Sequence, residues 1–146
     1  MARAAVENAC WDMTARVNNI TLQELLGGTR KDIPCGVSIG IQDTPEQLLE
    51  KIGIEIEAGY RRIKIKIKPG WDYDILKLVR QTFPNITLSV DANSAYTLAD
   101  INMLKSLDEF NLLMIEQPLG HDDIVDHSHL QKQINTDICL DEPIIS

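Results

Sequence analysis

The 146 residues carry little positive charge: 14 Lys and Arg against 22 Asp and Glu, a formal net charge of −8. A nucleic-acid partner needs a basic face, and beyond one short stretch the lysines are not clustered, so nucleic-acid binding is excluded. Cysteine is also scarce. Cys10, Cys35 and Cys139 are odd in number, far apart and form no CxxC. They read as reduced, buried thiols of a cytosolic protein, not as a disulfide framework or zinc site. No apolar run reaches membrane-spanning length, and the opening "MARAAVENACWD" has no signal-peptide core. A membrane partner is therefore not expected, and a cytoplasmic location is. The glycine-rich phosphate turns GxGxxG and GxxxxGK[ST] are both missing, which weakens a nucleotide-binding reading.

What is present is a rhythm. A helix over Ala4 to Arg16 and a short helical piece ended by Gly27 and Gly28 lead to Pro34. Then apolar strands alternate with helices. "CGVSIGI" is followed by "DTPEQLLEKIGIEIEAGY", whose Thr44, Pro45 and Gln47 predict a capped start with a capping box, and whose Gly59 predicts the stop. "RRIKIKI" precedes the helix "DYDILKLVRQTF", and "ITLSVDA" precedes "TLADINMLKSLDEF" with Thr97 as cap. "LLMIEQP" precedes "DIVDHSHLQKQI", and "DICLDEP" is a fifth strand. Such alternation predicts an α/β protein with a parallel sheet. Two architectures compete, a doubly wound sheet and a (β/α)8 TIM-type barrel. Lys66, Asp91, Glu116 and Asp141 follow one another in steps of 25 residues, each at the C-terminal end of a strand. One βα unit per step favours the barrel. A whole barrel takes about 250 residues, so the expectation is a partial one: residues 1–34 as helical lead-in and linker, and 35–146 as about five parallel strands with their helices.

The stretch "YRRIKIKIKPGWD" alternates Ile63, Ile65 and Ile67 with Lys64, Lys66 and Lys68. Period two makes it a strand with one apolar and one ammonium face. Taken alone it reads as an edge strand whose lysines face water. In the later strands Thr87, Ser89 and Asp91 share a face, as do Met114 with Glu116, and Cys139 with Asp141. The branched residues opposite them suit packing against outer helices. Asp91, Glu116 and Asp141 are then expected to converge at the C-terminal mouth, where barrel active sites lie. Three carboxylates together raise one another's pKa unless a cation sits among them, and few hard oxygen ligands suit Mg²⁺. The rival reading is three surface acids at helix N-caps. Lys66, nearer the mouth, is the candidate base and Lys64 the cation beneath it, because a desolvated lysine beside another ammonium loses its proton more easily. Lys68 falls outside the site. His121, His127 and His129 lie in or before the fourth barrel helix and read as surface residues.

"KIKIKPGWD", "VDANSAYT", "IEQPL" and "CLDEPI", in this order, resemble the enolase superfamily, in the branch of o-succinylbenzoate synthases and N-acylamino acid racemases. "ARAAVENACWD", "LLGG" and "GVSIG" fit the same branch, so the resemblance covers essentially the whole chain. It implies Asp91, Glu116 and Asp141 as ligands of Mg²⁺ (with Mn²⁺ as a substitute), Lys66 as acid/base and Lys64 as its support. It implies further that Asn93 and Gln117 stand around the ligands on the substrate side, and that Ser38 and Gly40 border a small carboxylate substrate. The activity implied is a lyase that dehydrates a cyclohexadiene carboxylate through an enediolate during menaquinone synthesis. A racemase or dipeptide epimerase using the same half-reaction is the alternative. The resemblance also places a capping domain before residue 1 and a second catalytic lysine on a sixth strand, after Ser146. The 146 residues alone are therefore expected to be inactive, with a non-catalytic half-barrel as the remaining reading. Their exposed sheet edges are expected to drive self-association.

Overall fold

The computed structural model describes residues 2–144, which form two compact units, 2–33 and 34–144. In the first, α1 (Ala2–Val17) is followed by α2 (Leu22–Leu25). Thr21 and Glu24 form a reciprocal capping box at the start of α2, with the Thr21 amide donating to Glu24 at 2.8 Å.

The second unit alternates β1 (Gly36–Ile39), α3 (Pro45–Glu57), β2 (Arg62–Lys66), α4 (Tyr73–Thr82), β3 (Thr87–Asp91), α5 (Ile101–Ser106), β4 (Ile115–Glu116), α6 (Ile124–Gln131) and β5 (Ile138–Cys139). All neighbouring strands pair in parallel, in the order β1-β2-β3-β4-β5. A doubly wound sheet must reverse its order at a switch point. This one never does, and strand order equal to chain order is that of a barrel wall. Among the described residues no helix is long and apolar enough to cross a membrane.

The isoleucine–lysine alternation resolves as two faces. Ile63, Ile65 and Ile67 are buried with Leu88, Val90 and Ile115, and they meet Leu48 and Ile52 of α3, Leu76 and Val79 of α4, Leu104 of α5 and Leu130 of α6 in one core. Burying an Ile or Leu side chain contributes about 1.5–3 kcal/mol, so this outer face holds the unit together. The opposite face is left to polar side chains.

Local signals behave as the chemistry of caps dictates, with exceptions. Thr44 accepts from the Gln47 amide at 3.3 Å. It is Glu46, not Gln47, that leans back on the cap: its own amide and the Thr44 hydroxyl hold its carboxyl below the usual value. Asp72 caps α4, and Thr97 forms a capping box with Asp100. The helix expected over "TLADINMLKSLDEF" is instead three pieces, a 3-10 turn at Leu98–Asp100, α5, and a second 3-10 turn at Leu107–Phe110. Tightened turns bring Leu104, Leu107 and Phe110 into the core and end in the left-handed Asn111 (φ 46°). Cys10 and Cys35 are exposed, not buried, and Cys139 is half-buried.

Candidate active site

Parallel pairing sets the polar face into rows. Ser38, Lys64 and Ser89 stand abreast in one row; Lys66, Asp91, Glu116 and Cys139 stand abreast in the next, toward the C-terminal ends. The lysine face of β2 is thus an interior strand face, with β1 on one side and β3 on the other. The edge-strand reading of "KIKIK" is ruled out by that position.

The charges are interlocked. Lys64 Nζ donates to both oxygens of Glu116 at 2.8 and 2.9 Å and lies 3.7 Å from Asp91 Oδ2. Burial pulls the Lys64 pKa down, but the bond and charge of Glu116, with Asp91 and Asp141 behind it, outweigh that and hold it above the ordinary lysine value. Lys66 Nζ donates to the same Asp91 oxygen at 3.1 Å and, by a short bond, to Asn93 Oδ1. The Asn93 amide donates to the other Asp91 oxygen at 3.1 Å. Asp91 and Glu116 are both buried, so their charge is stabilised by these ammonium groups and not by water. Lys68 is exposed and pairs with Trp71 in a backbone hairpin outside this constellation.

Ser38 is exposed on β1 and, with Lys64, Ser89 and Met114, lines a cleft of about 260 Å³ on the polar face. Gly40 follows β1 and is exposed, its carbonyl accepting from the Gln42 side chain at 2.7 Å. A larger cleft of about 440 Å³ lies at the N-terminal ends of β3 and β4. It is remote from the acids, and its one ionisable group, Arg80, is spent on the carbonyls of Phe110, Ile86 and Asn111. The chemistry belongs at the other end.

Asp141 departs from the expected convergence. Among the described residues, no three His, Cys, Asp or Glu side chains are placed to hold a metal ion. Register gives the reason. Cys139, not Asp141, stands beside Glu116, and Asp141 is two residues further, about 6.6 Å along a strand. The step of 25 residues holds the row from Lys66 to Glu116, and β5 then breaks it. Asp141 is exposed beyond the end of β5. It is still near enough for its charge to raise the pKa of Lys64 and of Cys139, whose thiol is pushed up by burial first, then by Glu116 and Asp141. The buried Asp91–Glu116 pair offers hard oxygen, the donor type a divalent cation takes, with Lys64 and Lys66 bound to it, and the acid expected as a third ligand is one layer away.

Gln117 is fully buried with φ 41°. Its amide donates to Leu119 O at 3.1 Å, and its carbonyl accepts from the Asp141 amide at 3.0 Å. It thereby ties β4 to the segment after β5. Of the histidines, His121 and His129 are exposed, but His127 is buried, against the surface reading. The signal was available: His127 stands three residues before the buried Leu130, on the same face of α6. Glu142, not singled out by pattern, accepts from Asn93 Nδ2 at 3.4 Å and joins the mouth.

Residues 47–146 match the family described as Enolase C-terminal domain-like, and residues 1–27 match the Mandelate racemase / muconate lactonizing enzyme N-terminal domain. An o-succinylbenzoate synthase of Geobacillus kaustophilus is 57% identical over 146 residues, all of this chain and 39% of that protein. An N-succinylamino acid racemase of Thermus thermophilus is 51% identical over 99% of this chain and 39% of its own length. A solved structure of an enolase-superfamily member from Enterococcus faecalis V583 superposes with a TM-score of 0.92 at 51% identity, over 97% of this chain and 38% of that one. The chain therefore spans about 39% of the length of these curated relatives.

Proposed function

This chain belongs to the enolase superfamily, and from that premise we propose that it is part of an o-succinylbenzoate synthase, a lyase that dehydrates a cyclohexadiene carboxylate through an enediolate in menaquinone synthesis. The observation that carries the reading is the row Lys66–Asp91–Glu116 with Lys64 clasped to Glu116 beneath it. Lys66 is the base. Its Nζ sits at the mouth between Asp91 and Asn93, where it can take a proton from the carbon next to a bound carboxylate. A positioned base of this kind contributes about 10²–10⁴-fold. Lys64 stays protonated and holds Glu116 in place. Ser38, at the β1 side of the cleft, and Gly40, just past the end of β1, border the substrate. Asp91 and Glu116, with Asp141, would hold Mg²⁺, which stabilises negative charge growing on a substrate carboxylate.

The relative from Thermus thermophilus favours a second reading, racemisation of N-succinylamino acids, in which the same proton is removed and returned to the other face. Both begin with Lys66. The test uses the full-length polypeptide carrying this sequence, assayed for dehydration and for racemisation, with exchange of the substrate α-proton followed in deuterium oxide. Lys66→Ala should lower exchange by at least about 10²-fold, roughly 3 kcal/mol in the barrier, while Lys68→Ala changes little. Equal, small effects at both positions would refute the assignment.

A further inference from the structure

The acid that stands out of line raises the question of what sets its position. Among the described residues the Asp141 side chain makes no hydrogen bond or ion pair; what is held is its backbone, through the amide that donates to Gln117 Oε1 at 3.0 Å. The other end of the Gln117 amide donates to Leu119 O at 3.1 Å, and more loosely to Gly120 O at 3.5 Å. The Leu119 amide in turn donates to His127 Nε2 at 3.2 Å. A ring nitrogen that accepts carries no proton, so the proton of a neutral His127 sits on Nδ1, which lies 2.6 Å from Asp123 O and donates to it. His127, Leu119 and Gln117 are all buried. These bonds form one chain from α6, through the β4–α6 loop, to the end of β5.

We propose that His127 and Gln117 are positioning residues that together set the placement of Asp141 relative to the Asp91–Glu116 pair. His127 pins the loop at Leu119, and Gln117 passes that position across to the Asp141 backbone. The inference rests on the metal-dependent reading given above. Neither residue touches the cation or the substrate; each acts through Asp141. Groups that orient a ligand from behind typically change metal affinity by about 10–100-fold when lost.

The probe is Mn²⁺, titrated into the full-length polypeptide carrying this sequence and followed by electron paramagnetic resonance, with a thermal melt in chelator for every variant. His127→Leu and Gln117→Glu, which removes the donor to Leu119 O, should each weaken Mn²⁺ by about 10-fold or more. His127→Gln, which offers an acceptor near the Nε2 position, should recover most of that loss at a similar melting temperature. Glu116→Gln reads the premise separately: if it leaves Mn²⁺ binding unchanged, the metal reading itself fails. If Glu116→Gln weakens binding while folded His127→Leu and Gln117→Glu shift it less than about 3-fold, only the positioning role is overturned. Should those variants not fold, the unaltered chain still decides. Nitrogen-15 shifts must show His127 protonated on Nδ1 and bare on Nε2, and the Leu119 and Asp141 amides must exchange slowly. The opposite tautomer, or fast exchange at both amides, overturns the proposal.

Discussion

Replacing Lys64 with Met tests whether the ammonium face of β2 is a buried ionic device. The Glu116 and Asp91 side chains are 10% and 5% exposed, and Lys64 is 26% exposed. Both Glu116 oxygens are bound by Lys64. Met keeps the stem and removes the charge, leaving Glu116 buried without its cation. Breaking a buried pair from one side costs about 3–5 kcal/mol, against a total stability of about 5–15 kcal/mol for a domain. Asp91 keeps Lys66 at 3.1 Å, so the lower figure, about 3 kcal/mol, is expected. Lys64→Met/Glu116→Gln removes both charges and should recover a coupling of about 2–3 kcal/mol. The assay is urea unfolding in chelator. The pH dependence has a defined sign: the folded pKa of Lys64 is raised, so its stabilisation is fully present below the unfolded lysine value of about 10.4 and is lost as pH rises through the folded value. The gap between wild type and Lys64→Met should therefore close only in that alkaline window. A Lys64→Met loss under about 0.5 kcal/mol at pH 7, additive with Glu116→Gln, would refute the reasoning and leave a solvated lysine.

Asp108 accepts from the Asn135 amide at 2.8 Å and from the Thr136 amide and hydroxyl at 2.8 and 2.7 Å; burial raises its pKa, but these bonds and Lys105 outweigh that and lower it. Its stabilisation is present above the unfolded aspartate value of about 3.9 and fades as pH falls through the lower folded value, so Asp108→Asn should flatten acid unfolding below pH about 4 and cost about 1–3 kcal/mol at pH 7 by denaturant titration. Arg80 donates to the carbonyls of Phe110, Ile86 and Asn111 at 2.6, 2.7 and 2.8 Å, and Arg80→Met should cost about 2–4 kcal/mol in the same experiment while Mn²⁺ affinity is unchanged. Among the described residues β1 pairs only with β2 and β5 only with β4, so we expect the 146-residue chain to self-associate; sedimentation velocity showing a monodisperse monomer would count against it.

How much of this could be read from residue order depends on the range of the interaction responsible. The faces of β2 and β3 were legible because period two forces Ile65 and Val90 one way and Lys66 and Asp91 the other. Thr44 and Thr97 were legible because a cap bonds within three residues. The row position of Asp141 was not, because it depends on the stagger of β5 against β4, and counting residues between strands treats unequal connections as equal. His127 was misjudged for a related reason. A polar residue on a short helix reads as exposed, yet here the apolar Ile124 and Val125 face out while His127 faces in, its two nitrogens satisfied by Leu119 and Asp123. Only the partners reveal that.

The backbone at the mouth carries a further argument that the acids are placed and not incidental. Asn93, Ser94 and Gln117 all have left-handed φ (42°, 64° and 41°), a region that costs a non-glycine residue about 1–2 kcal/mol. None of the three is a glycine, so the cost is kept, and something must offset it. The pairing of β3 with β4 continues beyond the strands, through Ala92 to Glu116, Ser94 to Gln117 and Tyr96 to Pro118 at 2.9, 2.8 and 3.1 Å. That continuation holds the turn, and the turn aims the Asn93 amide at Asp91 and the Asn93 carbonyl at Lys66. Glycine at 93 would relieve the backbone and lose the side chain that holds Lys66; asparagine is the residue that tolerates the left-handed region and still supplies the oxygen. Gln117 meets the same demand from β4, its strained backbone placing one amide between Leu119 and Asp141. Strain is retained at both strand ends, at Asn93 with a side chain spent on Lys66 and at Gln117 with one spent on the Asp141 backbone; a site under geometric constraint requires this, and a solvated strand end has no use for it.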